Sequence, residues 1–448
     1  MTSPHPTDRA IHRVVNLIPD ADQMILNMTV DEARDRILSG NPESVLDIHG
    51  AFALVARDGE RICLARNLNR PLRYFLAKEP EGPMLVVADR IDVIHRFLVE
   101  EGYGHQFHPT YTRMAPAHHV TELQLIGCPD PNPIYKRFFA PALATLPPDL
   151  DIIGRRYIEA LLDELREWLK KVPDSQPLGV LFSGGLDIGA VLLCLHDALC
   201  ELGQSPARLK AFTLSIGTGG DDVKQARSFL KQTGLEFLAE EIVTSADKID
   251  PLEACRIIED YKPLDVECAA ASMALLQGID ERYPDWKWLI DGDGGDENLK
   301  DYEIEQNTEL TIRSVVSNRM LYQEGWGVDA IKHSQTYSGG LSRGCVRGYA
   351  PARRYGFEVV SPFTAPRVVA VAEGIPFDEL TAGSNQRLYE LKGEVLTRGI
   401  QLVLGRTLPA FAKRRFQEGA MTPQTFAQVF DAQGDSYRQY FLDQYASN

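Results

Sequence analysis

Apolar positions come in short blocks through the first third of the chain and in helix-spaced stripes after it. Gly50–Arg57 and Arg61–Arg66, set either side of Asp58-Gly59, predict two strands joined by a hairpin turn. Another strand is expected at Met84–Ala88 and a helix at Asp92–Glu100, so the stretch from about Val30 to Pro147 reads as β-rich. Pro141, Pro147 and Pro148 then punctuate the chain. Beyond them Ile153–Lys171 carries apolar residues at helical spacing. Leu178–Phe182, Leu209–Ser215 and Trp286–Ile290 read as buried strands, alternating with helices at Gly189–Leu202 and Asp222–Thr233. Strand–helix alternation implies a parallel sheet with right-handed crossovers and a ligand site at the carboxyl ends of its strands. Functional residues are therefore expected in the turns after Phe182, Ser215 and Ile290. The predicted organisation is a β-rich domain over 1–147 and an α/β domain over 148–448, with no internal repeat or low-complexity tract.

Composition narrows the class. The chain has 448 residues, 44% of them hydrophobic, which excludes disorder. Its 63 Asp+Glu against 47 Lys+Arg leave a formal charge of −16, which repels phosphate backbones, and the basic groups are as short as Lys413-Arg414-Arg415. Nucleic acid is not an expected partner. Neither is a membrane, since no run approaches the roughly 18 apolar residues of a span, and Met1–Asp20 lacks the apolar core of a signal peptide. A cytoplasmic protein with a small-molecule substrate is expected, with oligomeric state, a homo-oligomer included, left open. Seven cysteines, at 63, 128, 194, 200, 255, 268 and 345, form no C-x-x-C pair and read as buried reduced thiols. His118-His119 and Cys128 are too widely spaced to argue a zinc site.

Two loops could carry chemistry. Ser183-Gly184-Gly185-Leu186-Asp187 lies between a strand and a helix, where backbone N–H groups and the helix dipole favour an anion. Asp187 suits that place if a divalent cation lies between it and a phosphate. Asp291-Gly292-Asp293-Gly294-Gly295-Asp296-Glu297 also follows a strand and crowds four carboxylates, each raising the others' pKa unless a cation intervenes. Alone, the first is also an ordinary glycine turn with Asp187 as a capping residue, and the second a solvated acidic loop. Both at the ends of strands of one sheet point to a Mg-nucleotide site.

These residues resemble a known family. Ser183–Asp187 matches the pyrophosphate-loop signature S-G-G-x-D-S of ATP pyrophosphatases, and Asp291–Tyr302 is similar to the S-G-E-G-x-D-E…G-Y segment of asparagine synthetases and β-lactam synthetases. Tyr355–Phe363 resembles W-G-V-E-x-R-x-P-F, and Lys413-Arg414-Arg415-Phe416-Gln417-Glu418-Gly419 resembles K-x-x-F-x-x-G, in the same order. The resemblance implies an adenine nucleotide α-hydrolase-like synthetase domain that adenylates a carboxylate with loss of pyrophosphate and passes it to ammonia or an amine. It implies ATP and Mg²⁺ as cofactors. It assigns Ser183, Gly184, Gly185, Leu186, Asp187, Leu214, Gly292 and Gly294 to the nucleotide, Asp187 and Asp296 to the metal, and Lys413 and Asp293 to catalysis. Lys413 would stabilise charge during amide formation, although within a basic run it also reads as a solvated lysine.

The departures set the alternatives. Asp293 stands where asparagine synthetases carry Glu and β-lactam synthetases a Tyr, which favours a carboxylate-type site with shortened reach. Ile188 replaces the loop's last serine, and Thr364 an acidic residue after P-F. The 303–354 stretch does not align cleanly; Lys332, His333, Tyr337 and Arg343 are candidates there, and Ser338–Gly344 reads as an exposed turn or a second anion loop. Leu46–Ile94, with Gly50-Ala51-Phe52-Ala53 and Ala65-Arg66-Asn67-Leu68…Pro71-Leu72, resembles the later half of an N-terminal-nucleophile glutaminase domain. Its earlier half is missing, and Met1-Thr2-Ser3 replaces the family's cysteine start, so glutamine hydrolysis is not expected. The leading expectation is a glutamine-independent, AMP-forming amide ligase. The alternatives are intramolecular β-lactam-synthetase-like closure and a non-catalytic nucleotide-binding homologue. Sulfur transfer to RNA would need a reactive cysteine and a basic face, and neither is evident.

Overall fold

The computed structural model describes residues 10–127, 129–217, 220–301, 304–306, 310–320, 345–411, 415–430 and 435–446. The chain divides into two compact units. The described part of the first runs to Ala140 and takes in residues from Arg438; the second holds the described residues from Pro141 to Tyr437. Residues ahead of the expected boundary at 147 belong to the second, where the amide of Ala144 donates to the Glu373 carbonyl at 3.1 Å and that of Leu146 to Gly374 at 2.9 Å.

In the first unit, besides a short pair of Met24–Ile25 with Gly50–Ala51, the strands are β1 (Arg13–Asn16), β2 (Ala53–Asp58), β3 (Arg61–Arg66), β4 (Arg73–Glu79), β5 (Gly82–Ala88), β6 (Arg113–Met114), β7 (His119–Gly127) and β8 (Asp130–Arg137). They form two four-stranded sheets, ordered β1-β5-β4-β6 and β8-β7-β3-β2. Alternate residues of both, among them Val55, Ile62, Leu64 and Leu123 from one and Tyr74, Leu85 and Val87 from the other, make a shared apolar layer. Helix α1 (Val30–Leu38) packs on β2 and α2 (Ile91–Glu100) on β5, giving helix–sheet–sheet–helix layers. The hairpin forms, but Asp58 pairs with Arg61, so its turn is Gly59-Glu60, one residue later than expected. Helix α1 departs from the β-rich expectation for this stretch. Its signal is a capping box, Thr29 accepting from the Glu32 amide and Glu32 from that of Thr29.

The second unit is a mixed α/β fold on a five-stranded sheet. Its strands are β9 (Leu178–Leu181), β10 (Leu209–Ile216), β11 (Ala239–Thr244), β12 (Trp288–Ile290) and β13 (Glu358–Val360). All pair in parallel, in the order β11-β10-β9-β12-β13. The chain builds outward from β9 to one side and then returns to build from β12 on the other, so the loops leaving the adjacent β9 and β12 flank the switch point where open α/β sheets bind ligands. The helices needed below are α3 (Leu150–Leu169), α4 (Leu186–Glu201), α5 (Asp222–Thr233), α6 (Pro263–Arg282), α7 (Gly295–Leu299), α8 (Asn385–Leu404) and α9 (Phe416–Gly419). Helix α4 starts three residues before its expected Gly189, which puts Leu186 and Asp187 in its first turn.

Helices α3 and α8 cross at two glycines. A Cβ on Gly154 would come within 2.7 Å of the Val395 carbonyl oxygen, and one on Gly399 would overlap the Gly154 carbonyl. Only hydrogens fit there, so the crossing fixes the depth of α8 against the sheet. Gly399→Ala is expected to cost about 1–3 kcal/mol through overpacking, read as a lowered urea midpoint; an unchanged midpoint would show that the crossing relaxes.

Among the described residues, no helix is long and apolar enough to cross a membrane. Cys63, Cys194, Cys255 and Cys268 are free buried thiols; Cys200, expected buried, is exposed.

Candidate functional site

The sequence places an anion loop at the start of α4, and the structure shows how it is held. Phe182 continues β9 by donating its amide to the Phe212 carbonyl at 2.8 Å, while Thr213 Oγ1 donates to the Phe182 carbonyl at 2.8 Å. Gly184 then turns with φ +79°, a conformation that disfavours side chains. Gly185 caps α4 with no side chain over the helix start, leaving its first amides open to an anion. Asp187 projects from that first turn.

The loop after β12 meets it. A Cβ on Gly292 would lie 2.9 Å from the Ile188 nitrogen and 3.3 Å from Asp187 Cβ, and one on Gly295 would overlap the Asp187 carboxylate. The two glycines let the loops touch. Asp187 and Asp296 then converge on one cation, the ammonium of Lys392 from α8. Its Nζ donates to Asp187 Oδ2 at 2.5 Å and to Asp296 Oδ1, with Asp301 Oδ2 at 3.3 Å. Burial alone would push the Lys392 pKa down, but the charges of Asp187, Asp296 and Asp301 outweigh it and hold the ammonium well above its ordinary range. Sequence reasoning missed Lys392. The available signal was its place among Leu388, Leu391, Val395 and Leu396, the buried residues of α8, where a lysine needs a charged partner.

The other expected residues are distributed as follows. Ser183, Gly184, Gly185, Leu186, Asp187, Gly292 and Asp296 lie in or beside the meeting loops. Gly294 faces elsewhere: it caps α7 with φ +97°, and a Cβ there would meet the methyl of Thr364 at 2.9 Å. Leu214 is buried within β10 in register with Ile242. After β10 the chain packs at Gly220 against the Gly419 carbonyl of α9. Lys413, Lys332, His333, Tyr337, Arg343 and the Ser338–Gly344 stretch lie outside the described residues, as do Thr2 and Cys128.

Asp293 lies beside Gly348. A Cβ on Gly348 would lie 2.6 Å from Asp291 Oδ2 and 3.7 Å from Asp293 Oδ2, so both carboxylates face the turn of Cys345–Tyr349. Asp291 occupies the serine position of the S-G-E-G signature, and its Oδ1 accepts the Asp293 amide at 3.1 Å. Burial, then the charge of Asp293, pushes the Asp291 carboxyl well above its usual 3.8. As pH rises through about 4, the unfolded chain gives up this proton while the folded chain keeps it, so stability falls until the folded carboxyl ionises. Asp291→Asn removes that slope. Urea midpoints from pH 4 upward are therefore expected to favour the variant increasingly and then level off; a constant difference would place the titration elsewhere. Glu358, from the W-G-V-E-like segment, pairs with Arg353 at 2.9 Å.

Oxygen donors from Asp187 and Asp296 meeting on a single charge fit Mg²⁺, which takes one or two protein carboxylates and completes its shell with phosphates and water. Among the described residues no group of three His, Cys, Asp or Glu is arranged to hold a metal on its own.

Residues 160–335 match the family described as asparagine synthase. Over this segment the chain is similar to asparagine synthase domains. The match spans α4, the loops after β9 and β12, and the carboxylates at 187 and 296. Lys392 lies beyond it. Asparagine synthase domains belong to ATP-dependent ligases that form C–N bonds with release of AMP and pyrophosphate, typically with Mg²⁺. Among curated proteins, none matches the chain.

Proposed function

We propose that the chain is a glutamine-independent amide ligase that adenylates a small-molecule carboxylate with ATP, releases pyrophosphate, and passes the acyl group to ammonia or an amine. The observation that carries this reading is the convergence of Asp187 and Asp296 on one buried cation at the switch point of a parallel sheet. The open amides at the start of α4 would bind phosphate oxygens, and Asp187 with Asp296 would hold Mg²⁺, which supplies charge neutralisation on the polyphosphate. Lys392 sits where it can follow negative charge from carboxylate to phosphate. The substrate carboxylate displaces pyrophosphate at the α-phosphorus, and the nitrogen then attacks the acyl carbon with AMP as leaving group. In this reading, as the resemblance implies, Asp293 takes the proton that the nitrogen loses and Lys413 stabilises the developing negative charge. The first unit is read as a glutaminase-like remnant without hydrolytic function, as its missing earlier half argues.

Incubation with Mg-ATP and a panel of carboxylates and amines is expected to release pyrophosphate and AMP in equal amounts. Mass spectrometry of the product separates addition of a nitrogen compound from loss of water within one substrate, the signature of ring closure. Absence of Mg-ATP binding by calorimetry would overturn the reading. Binding without turnover across the panel would favour the non-catalytic alternative that Ile188 and Thr364 motivate.

A further inference from the structure

Helix α7 ends at a residue that does not suit its backbone. Lys300 caps it at φ +57°, a left-handed conformation that glycine adopts freely and that a residue with a Cβ resists. Beyond that turn the Asp301 amide donates to the Asp296 carbonyl at 3.0 Å, and the Asp301 carboxylate comes to 3.3 Å from Lys392 Nζ. The turn at 300 therefore adds a third carboxylate to the ammonium that Asp187 and Asp296 share.

The Lys300 side chain runs into the interior, and the residue is 2% exposed. Its Nζ donates to the Val315 carbonyl at 3.3 Å and to the Asn318 carbonyl at 3.4 Å, at the end of the short helix Ile312–Ser317. It also lies 3.8 Å from Glu373 Oε2 and 5.0 Å from the centre of the Phe377 ring. The other oxygen of Glu373 accepts the Met320 amide at 3.0 Å. One buried ion pair thus grips residues 315–320 by two carbonyls and an amide. Stopping a helix requires none of this, because glycine does so at lower cost. What calls for lysine here is the anchorage of its side chain, which offsets the unfavourable backbone and keeps the turn closed.

We propose that Lys300 is a positioning residue of the nucleotide site: its buried anchorage on residues 315–320 and Glu373 holds the left-handed turn that delivers Asp301 to Lys392. The effect on Mg-ATP rests on the ligase reading, whereas the delivery of Asp301 does not.

The test compares Lys300→Met with Lys300→Gly in the full chain. Both remove the ion pair, so both are expected to lower the urea midpoint, but only glycine takes up the turn without an anchor. Lys300→Met is therefore expected to weaken Mg-ATP by about tenfold in calorimetric titration, the worth of one hydrogen bond between charged groups, and so is Asp301→Asn. Lys300→Gly should stay near the wild type. Added to Lys300→Met, Asp301→Asn should change neither Mg-ATP affinity nor the urea midpoint further, while added to Lys300→Gly it should change both as it does in the wild type. If circular dichroism shows that Lys300→Met does not fold, Lys300→Met with Glu373→Gln, which leaves no buried carboxylate without its ammonium, takes its place. Equal behaviour of the methionine and glycine variants, or an equal effect of Asp301→Asn in both, overturns the proposal. No Mg-ATP binding by the wild type, with the pattern of urea midpoints intact, overturns the ligase reading instead.

Discussion

Replacement of Lys392 by methionine is expected to destabilise the second unit by about 3–5 kcal/mol, the usual penalty for removing one partner of a buried ion pair. The lysine side chain is only 6% exposed, and its ammonium is shared by Asp187, Asp296 and Asp301. Methionine keeps the length and removes the charge, so the loss reports like-charge repulsion more than lost packing. Magnesium ion added alone should then recover stability in the variant and little in the wild type, because only the variant leaves the carboxylates without a resident cation. The readout is the urea midpoint with and without Mg²⁺. A variant that melts like the wild type, or that gains nothing from magnesium, would disconnect these carboxylates from metal binding.

The second large effect is expected from a single methyl group. Gly295→Ala places a Cβ where the Asp187 carboxylate now lies, so that carboxylate must move although no charge has changed. Misplacement of a positioning group by about 1 Å costs about 10²-fold in turnover. Pyrophosphate release by Gly295→Ala should therefore fall about as far as that of Asp187→Asn, with the fold retained by circular dichroism. Substantial activity in Gly295→Ala beside an inactive Asp187→Asn would mean that the loop can retreat.

What could be read from sequence followed physical locality. The strands and helices from Ile153 to Thr233 are each specified by a short periodic run, and they appear close to where the pattern puts them. The loops after Phe182 and Ile290 carry their chemistry in contiguous residues, so glycine and aspartate spacing was enough to nominate both, and their convergence follows from strand order. Lys392 gives no such local sign, since it lies 205 residues from Asp187 and works only because α8 crosses α3 at Gly399 and Gly154. The ion pair of Asp265 with Arg347, at 3.6 Å, gives no local sign for the same reason: the two come from segments with no shared motif and meet through the packing of α6. Gly294 has a second, structural reason for its place in the loop. It sits in a signature, yet its geometry serves the Thr364 contact and the start of α7.

The distance along the chain between Asp187 and Lys392 also bears on biosynthesis. A nascent polypeptide that has emerged only as far as Leu380 can already form the central strands and both acidic loops, but it brings aspartates together with nothing to balance them. The ion pairs that tie both acidic loops to α8 are then among the last contacts the growing chain can close.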